Sequence, residues 1–120
     1  MNMEGQTLSD LSSLTETQVE TLRIQLSIEK GEINMVNALK LRKSSGISRG
    51  THDWVLAQAK HNVLESLFTV AVGVQMGLLK QEDVQKFLSA AKMIPENVDS
   101  DKLPQVMSLI RALAGRIVML

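Results

Sequence analysis

Apolar positions recur along this chain with the period of an α-helix and nowhere with the strict alternation of a half-buried strand. Thr15 and Gln18 stand at the spacing of a capping box. Val19, Leu22 and Leu26 then make one stripe, which Ile24 and Ile28 widen, and Gly31 supplies a left-handed stop. Asn34 caps a second, shorter helix carrying Met35, Val36, Ala38, Leu39 and Leu41, which ends near Lys43 because Ser44, Ser45 and Gly46 are turn residues. Ser48 is a good N-cap for a third helix. Along it Val55, Leu56, Ala59, Val63, Leu67, Val70 and Val74 recur without a break until Gly73 or Gly77. At about 28 residues this helix spans roughly 40 Å, long enough to project or to pack against a second copy.

A fourth helix begins around Gln81, with Val84, Phe87, Leu88 and Ala91 turned inward, and Ile94-Pro95 stops it. Ser100 is the expected cap of the last helix, and Pro104 falls in its first turn, where a missing N–H costs little. Leu103, Val106, Met107, Ile110, Leu113, Ala114, Ile117 and Val118 give that helix the cleanest stripe in the chain. Met35, Met76, Met93, Met107 and Met119 lie on or near apolar stretches, where methionine most simply fills core gaps. Residues 1–14 show no sustained period and read as a flexible arm. The expectation is an all-α fold of about five helices, one of them long and central, forming a single helical domain over 15–120.

Composition narrows the chemistry. Among 120 residues there is no cysteine, which removes disulfides, thiolate metal sites and a cysteine nucleophile. His52 and His61 point to different faces of one helix and do not make a metal pair, while His61 and Glu65 are placed for a surface contact. No metal and no cofactor are expected. No nucleophile–base–orienter set and no Gly-rich loop after a strand stand out, so the chain reads as a non-enzyme. With 2% aromatic residues it lacks the platforms on which single strands stack. The apolar run from Val63 to Leu79 contains Glu65, Ser66, Thr69 and Gln75, so it reads as core or subunit interface rather than a membrane span. A cytoplasmic location is expected.

The net charge of zero hides a strong pattern. Residues 1–39 set six acids against Arg23 and Lys30, a net −4, whereas residues 40–61 set five bases against Asp53 alone, a net +4. Residues 62–120 balance. The basic centre is where local charge would attract a polyanion.

That centre coincides with a motif. Gly46-Ile47-Ser48-Arg49-Gly50-Thr51, with Ala38 upstream and Leu56 downstream, resembles the helix-turn-helix of DNA-binding regulators, as found in sigma-factor region 4, resolvases and many repressors. The resemblance covers residues 34–63. It implies that residues 15–60 form a DNA-binding part and residues 62–120 the dimerisation and core helices. In such a motif Gly46 allows the turn, Ile47 tucks it into the core, and Ser48 caps the helix whose N-terminal end meets the major groove. His52 stands where such motifs place an apolar core residue.

The resemblance further implies a homodimeric transcriptional regulator of double-stranded DNA, working at the nucleoid. Lys40, Arg42, Lys43, Ser48, Arg49, Gly50, Thr51, Asp53, Trp54 and Lys60 are the candidate DNA-binding residues. Lys40, Arg42 and Lys43 would meet backbone phosphate, and Arg49 and Thr51 base edges or nearby phosphate. Asp53 would repel phosphate or accept from cytosine N4. Trp54 is the residue of this set with the strongest claim to partial burial in packing. The alternative is an all-helical module that binds a partner protein and does not touch DNA. The disposition of the charges in residues 40–61 separates the two.

Overall fold

A computed structural model describes residues 7–40, 48–95 and 99–119, and these are entirely helical or connecting, with no strand among them. The elements run α1 (Leu8–Leu11), α2 (Glu16–Glu29), α3 (Met35–Lys40), α4 (Arg49–Gln75), α5 (Gln81–Met93) and α6 (Leu103–Ile117). The fold is all-α, and the long central helix is α4. The additional element is α1, a single turn within the stretch that carries no period. Its start is held locally, with Asp10 Oδ2 accepting from Thr7 N at 2.8 Å.

The chain divides into two compact units, one of Ser12–Glu65 and one of Met1–Leu11 with Ser66–Leu120. Helix α4 contributes its residues 49–65 to the first and the remainder to the second.

In the N-terminal unit the helix ends form where the side chains dictate. Thr15 Oγ1 accepts from Gln18 N at 3.1 Å while Gln18 Oε1 accepts from Thr15 N at 3.0 Å, a complete capping box. At the other end of α2, Gly31 takes a φ of +77°, and Glu32 N reaches back to Ser27 O at 3.0 Å. This left-handed closure satisfies carbonyls that the helix leaves open. Asn34 Oδ1 accepts from Asn37 N at 2.9 Å to start α3.

The core of this unit is made of Thr21, Ala38, His52, Val55 and Ala59. Three of the five are small, which lets helix backbones approach closely. The expected stripe of α2 is therefore corrected: Thr21 is the buried position, Val19, Leu22, Ile24 and Ile28 are half-buried, and Leu26 is exposed. Close packing around small side chains leaves no room for a row of leucines and turns polar residues inward instead.

The C-terminal unit is organised by α5 against α6. Leu103, Met107 and Ile110 are buried, with Phe87, Ala90 and Ile94 packed on them. Helix α5 stops at Met93 because Ile94 is extended ahead of Pro95. The cap expected of Ser100 is not made. Lys102 precedes α6 without a side-chain bond, and the N–H groups of Lys102 and Leu103 go to Asp99 O at 2.9 and 3.0 Å. A backbone turn does the work assigned to the serine hydroxyl. At the end of α4, Gly77 has a φ of +84° and Leu79 folds back over Gly73, where an added Cβ would meet Leu79 Cδ1 at 2.8 Å. Val63, Leu67 and Val70, read as core or subunit interface, are not core of the single chain but exposed, as are Met76, Met93 and Met119.

Candidate nucleic-acid interface

The first four turns of α4 have a sharply divided circumference. Ser48 Oγ accepts from Thr51 N at 3.1 Å and lies 3.1 Å from Thr51 Oγ1, so the expected cap is present. His52, Val55 and Ala59 follow at helical spacing and are buried. Every other candidate residue of this helix is consequently turned outward: Arg49, Gly50, Thr51, Asp53, Trp54 and Lys60 are all exposed, as is Ser48 at its start. Gly50, Trp54, Ala57 and His61 form one outward line, with Asp53 and Lys60 beside it.

His52 is the residue that fixes this orientation. It is fully buried, and its Nε2 lies 3.3 Å from Gln25 Oε1 of α2. An imidazole thus occupies the core position that similar motifs give to an apolar side chain, and the glutamine opposite makes it tolerable. Trp54, by contrast, is 63% exposed, which corrects its reading as a packing residue. Asp53 likewise faces solvent rather than core.

Lys40 is exposed at the end of α3. Among the described residues, no ion pair engages Lys40, Arg49 or Lys60; the contact expected between His61 and Glu65 is present, with Nε2 to Oε1 at 2.7 Å. Arg42, Lys43, Gly46 and Ile47 lie outside the described residues.

Beside the outward line runs a shallow groove of about 570 Å³, lined by Gln18, Trp54, Ala57, Gln58, His61, Asn62 and Glu65. Asn62 is fixed beneath it. Its Nδ2 donates to Ser13 O at 3.0 Å and to Gln18 Oε1 at 3.4 Å, and its Oδ1 accepts from Ser13 Oγ at 2.7 Å. These polar partners ride on no apolar stripe, so periodicity alone could not point to them. The capping-box glutamine was visible in the sequence, but not its second task of reaching Asn62.

The arrangement offers a capped helix N-terminus, whose free N–H groups and positive dipole end favour an anion. Arg49, Lys60 and one flat aromatic face lie on the exposed side of the same helix. No group of three or more His, Asp or Glu placed to hold a metal occurs among the described residues. No protein-family description matches this chain, and no curated protein or solved structure is detectably similar to it.

Proposed function

We propose that this chain is a small DNA-binding protein of the helix-turn-helix kind, acting as a homodimeric transcriptional regulator at the nucleoid in the cytoplasm. The observation that carries this reading is the division of α4. His52, Val55 and Ala59 take the inner face, so Ser48, Arg49, Gly50, Thr51, Asp53, Trp54 and Lys60 are left outside at the capped end. A recognition helix needs such an end, with few bulky obstructions and with cations not neutralised by neighbouring acids. Gly50 helps, because its backbone is open to close approach on the outward line. Lys40, with Arg42 and Lys43, would supply the phosphate contacts of the preceding helix. Two copies would present two such ends to a two-fold-related pair of half-sites.

The test is a selection of bound duplexes from random or genomic DNA with the purified full-length chain, followed by titrations at two salt concentrations. A DNA-binding protein enriches a motif and shows affinity that falls steeply with salt. Absence of duplex binding tighter than about 0.1 mM, the weak end of non-specific affinity, rejects the reading. The protein-interaction module then takes its place.

A further inference from the structure

Between α5 and α6, within the C-terminal unit alone, lies a cleft of about 450 Å³. It is lined by Asp83, Lys86 and Phe87 of α5 and by Leu113, Arg116 and Ile117 of α6. Clefts of about 300–1,000 Å³ with an apolar lining and a few polar groups are the size and kind that hold small molecules.

The floor of this cleft is apolar. Phe87, Leu113 and Ile117 are half-buried, and Phe87 also packs on the cluster of Leu103, Met107 and Ile110, which anchors its ring. The rim is charged. Asp83 is half-buried, and Lys86 and Arg116 are exposed. Lys86 stands three residues from Asp83 and four from Glu82, the spacings at which ion pairs close along a helix. It pairs with neither. Among the described residues no ion pair or side-chain hydrogen bond engages Asp83, Lys86 or Arg116. Asp83 in the first turn of α5 and Arg116 in the last turn of α6 suit the dipoles of their own helices. Neither dipole accounts for Lys86, nor for one carboxylate and two cations gathered around a single apolar floor.

We propose that this cleft binds a free α-amino acid with a large apolar side chain. The charges select that class. A plain hydrocarbon leaves the whole rim unused. An apolar carboxylate suits Lys86 and Arg116 but brings a second negative charge beside Asp83, and an apolar amine suits Asp83 but faces two cations. An α-amino acid complements all three at once. Its carboxylate is placed for Lys86 and Arg116, its ammonium for Asp83, and its side chain lies on Phe87, Leu113 and Ile117. Each charged contact is a charge-assisted hydrogen bond, the stronger kind, and the apolar floor favours the side chain by removing it from water. This binding activity lies in the C-terminal unit, goes beyond the DNA reading and does not rest on it.

The test is a titration of the full-length chain with L-phenylalanine, without DNA, followed by amide chemical shifts. Saturable shifts are expected in the first half of α5 and the last turns of α6, with a dissociation constant on the order of 0.1–1 mM, the range open to so small a ligand. 3-Phenylpropionate and 2-phenylethylamine each lack one charged group and should bind about tenfold more weakly, and glycine should not saturate. Asp83→Asn should weaken phenylalanine about tenfold without weakening 3-phenylpropionate. Arg116→Gln should weaken phenylalanine and 3-phenylpropionate but not 2-phenylethylamine. Both changes fall on the rim and leave the packed floor intact. No saturable shift up to about 10 mM, or shifts confined to other helices, overturns the proposal. So does 3-phenylpropionate or 2-phenylethylamine binding as tightly as phenylalanine, since one charged group of the amino acid would then be idle. Failure to bind DNA leaves this titration unchanged, so the two readings fail separately.

Discussion

His52 of α4 and Gln25 of α2 meet inside the N-terminal unit with Nε2 and Oε1 3.3 Å apart. An amide oxygen can only accept, so the proton of this contact sits on Nε2. Gln25→Ala leaves a buried ring N–H without that acceptor and should cost about 1–3 kcal/mol. In a His52→Leu background the same change should be close to neutral, since nothing remains to be satisfied. Urea melts of the two single variants and the double variant read the coupling directly; strictly additive losses would show that the pair is not a pair.

The glycines of the N-terminal unit should respond in opposite directions. Gly50 lies in the first turn of α4 with ordinary helical geometry, and an added Cβ meets nothing nearer than Ser48 Oγ at 3.8 Å. Gly50→Ala should raise stability by about 0.5–1 kcal/mol. It should also weaken duplex binding if the helix backbone approaches DNA there. Gly31 has open space around it too, but its φ of +77° strains any L side chain, so Gly31→Ala should lower stability by about 1 kcal/mol. Thermal melts of both variants decide the stability half; a loss at Gly50 or a gain at Gly31 would contradict it.

Gly73 is constrained by space instead of by backbone angle. A Cβ added there would lie 2.8 Å from Leu79 Cδ1 and 3.0 Å from its Cγ, so Gly73→Ala forces the end of α4 and the following turn apart. A cost of about 1–3 kcal/mol is expected. Leu79→Ala opens that space, so the double variant should lose less than the sum of the two single losses, as chemical denaturation would reveal.

For the proposed DNA contact the charged residues of α4 have separable signatures. Arg49→Ala should cost about 1–3 kcal/mol on a selected site and little on random duplex if Arg49 touches a base edge. Lys60→Ala should weaken all sequences alike and lower the salt slope by about one unit if it meets phosphate. Asp53→Ala should strengthen non-specific binding by removing repulsion, or erode specificity if the carboxylate reads a cytosine. Anisotropy titrations at several salt concentrations distinguish these outcomes.

What the sequence made legible was chiefly local. Thr15 with Gln18, Asn34, Ser48, Gly31 and the Ile94-Pro95 stop each act within a few residues of themselves, and each is found in place. The α6 stripe was legible because three of its positions are the core that α5 covers. The inward face of α2 was not, because its buried position is a threonine. Thr21 Oγ1 is buried without a hydrogen-bond partner among the described residues, so hydropathy reads it as surface while geometry places it inside.

That hydroxyl yields a further expectation. Thr21→Val replaces an unmet polar atom by a methyl group of nearly the same volume, and it should be neutral or stabilising. A clear loss in denaturant melts would mean that the hydroxyl is satisfied.

The exposure of α4 beyond Glu65 was legible only as one of the alternatives that its length and apolar run left open. Helical periodicity reports which residues share a side, not whether the same chain covers that side. Val55 and Ala59 lie within the N-terminal unit and are buried, whereas Leu67 and Val70 continue the same apolar rhythm into solvent.

Trp54 is the chain's sole tryptophan, and there is no tyrosine, so intrinsic fluorescence comes from one indole. Because that indole is already largely hydrated in the folded N-terminal unit, its emission should be red-shifted from the outset and should change with small amplitude on denaturation. The signal reports the N-terminal unit alone, since α5 and α6 carry no second tryptophan, whereas circular dichroism averages the helices of both units. Comparing the two optical midpoints therefore measures how tightly the units are coupled along α4. Coincident midpoints would mean that both melt in one step, and separated midpoints that each half of the shared helix unravels on its own.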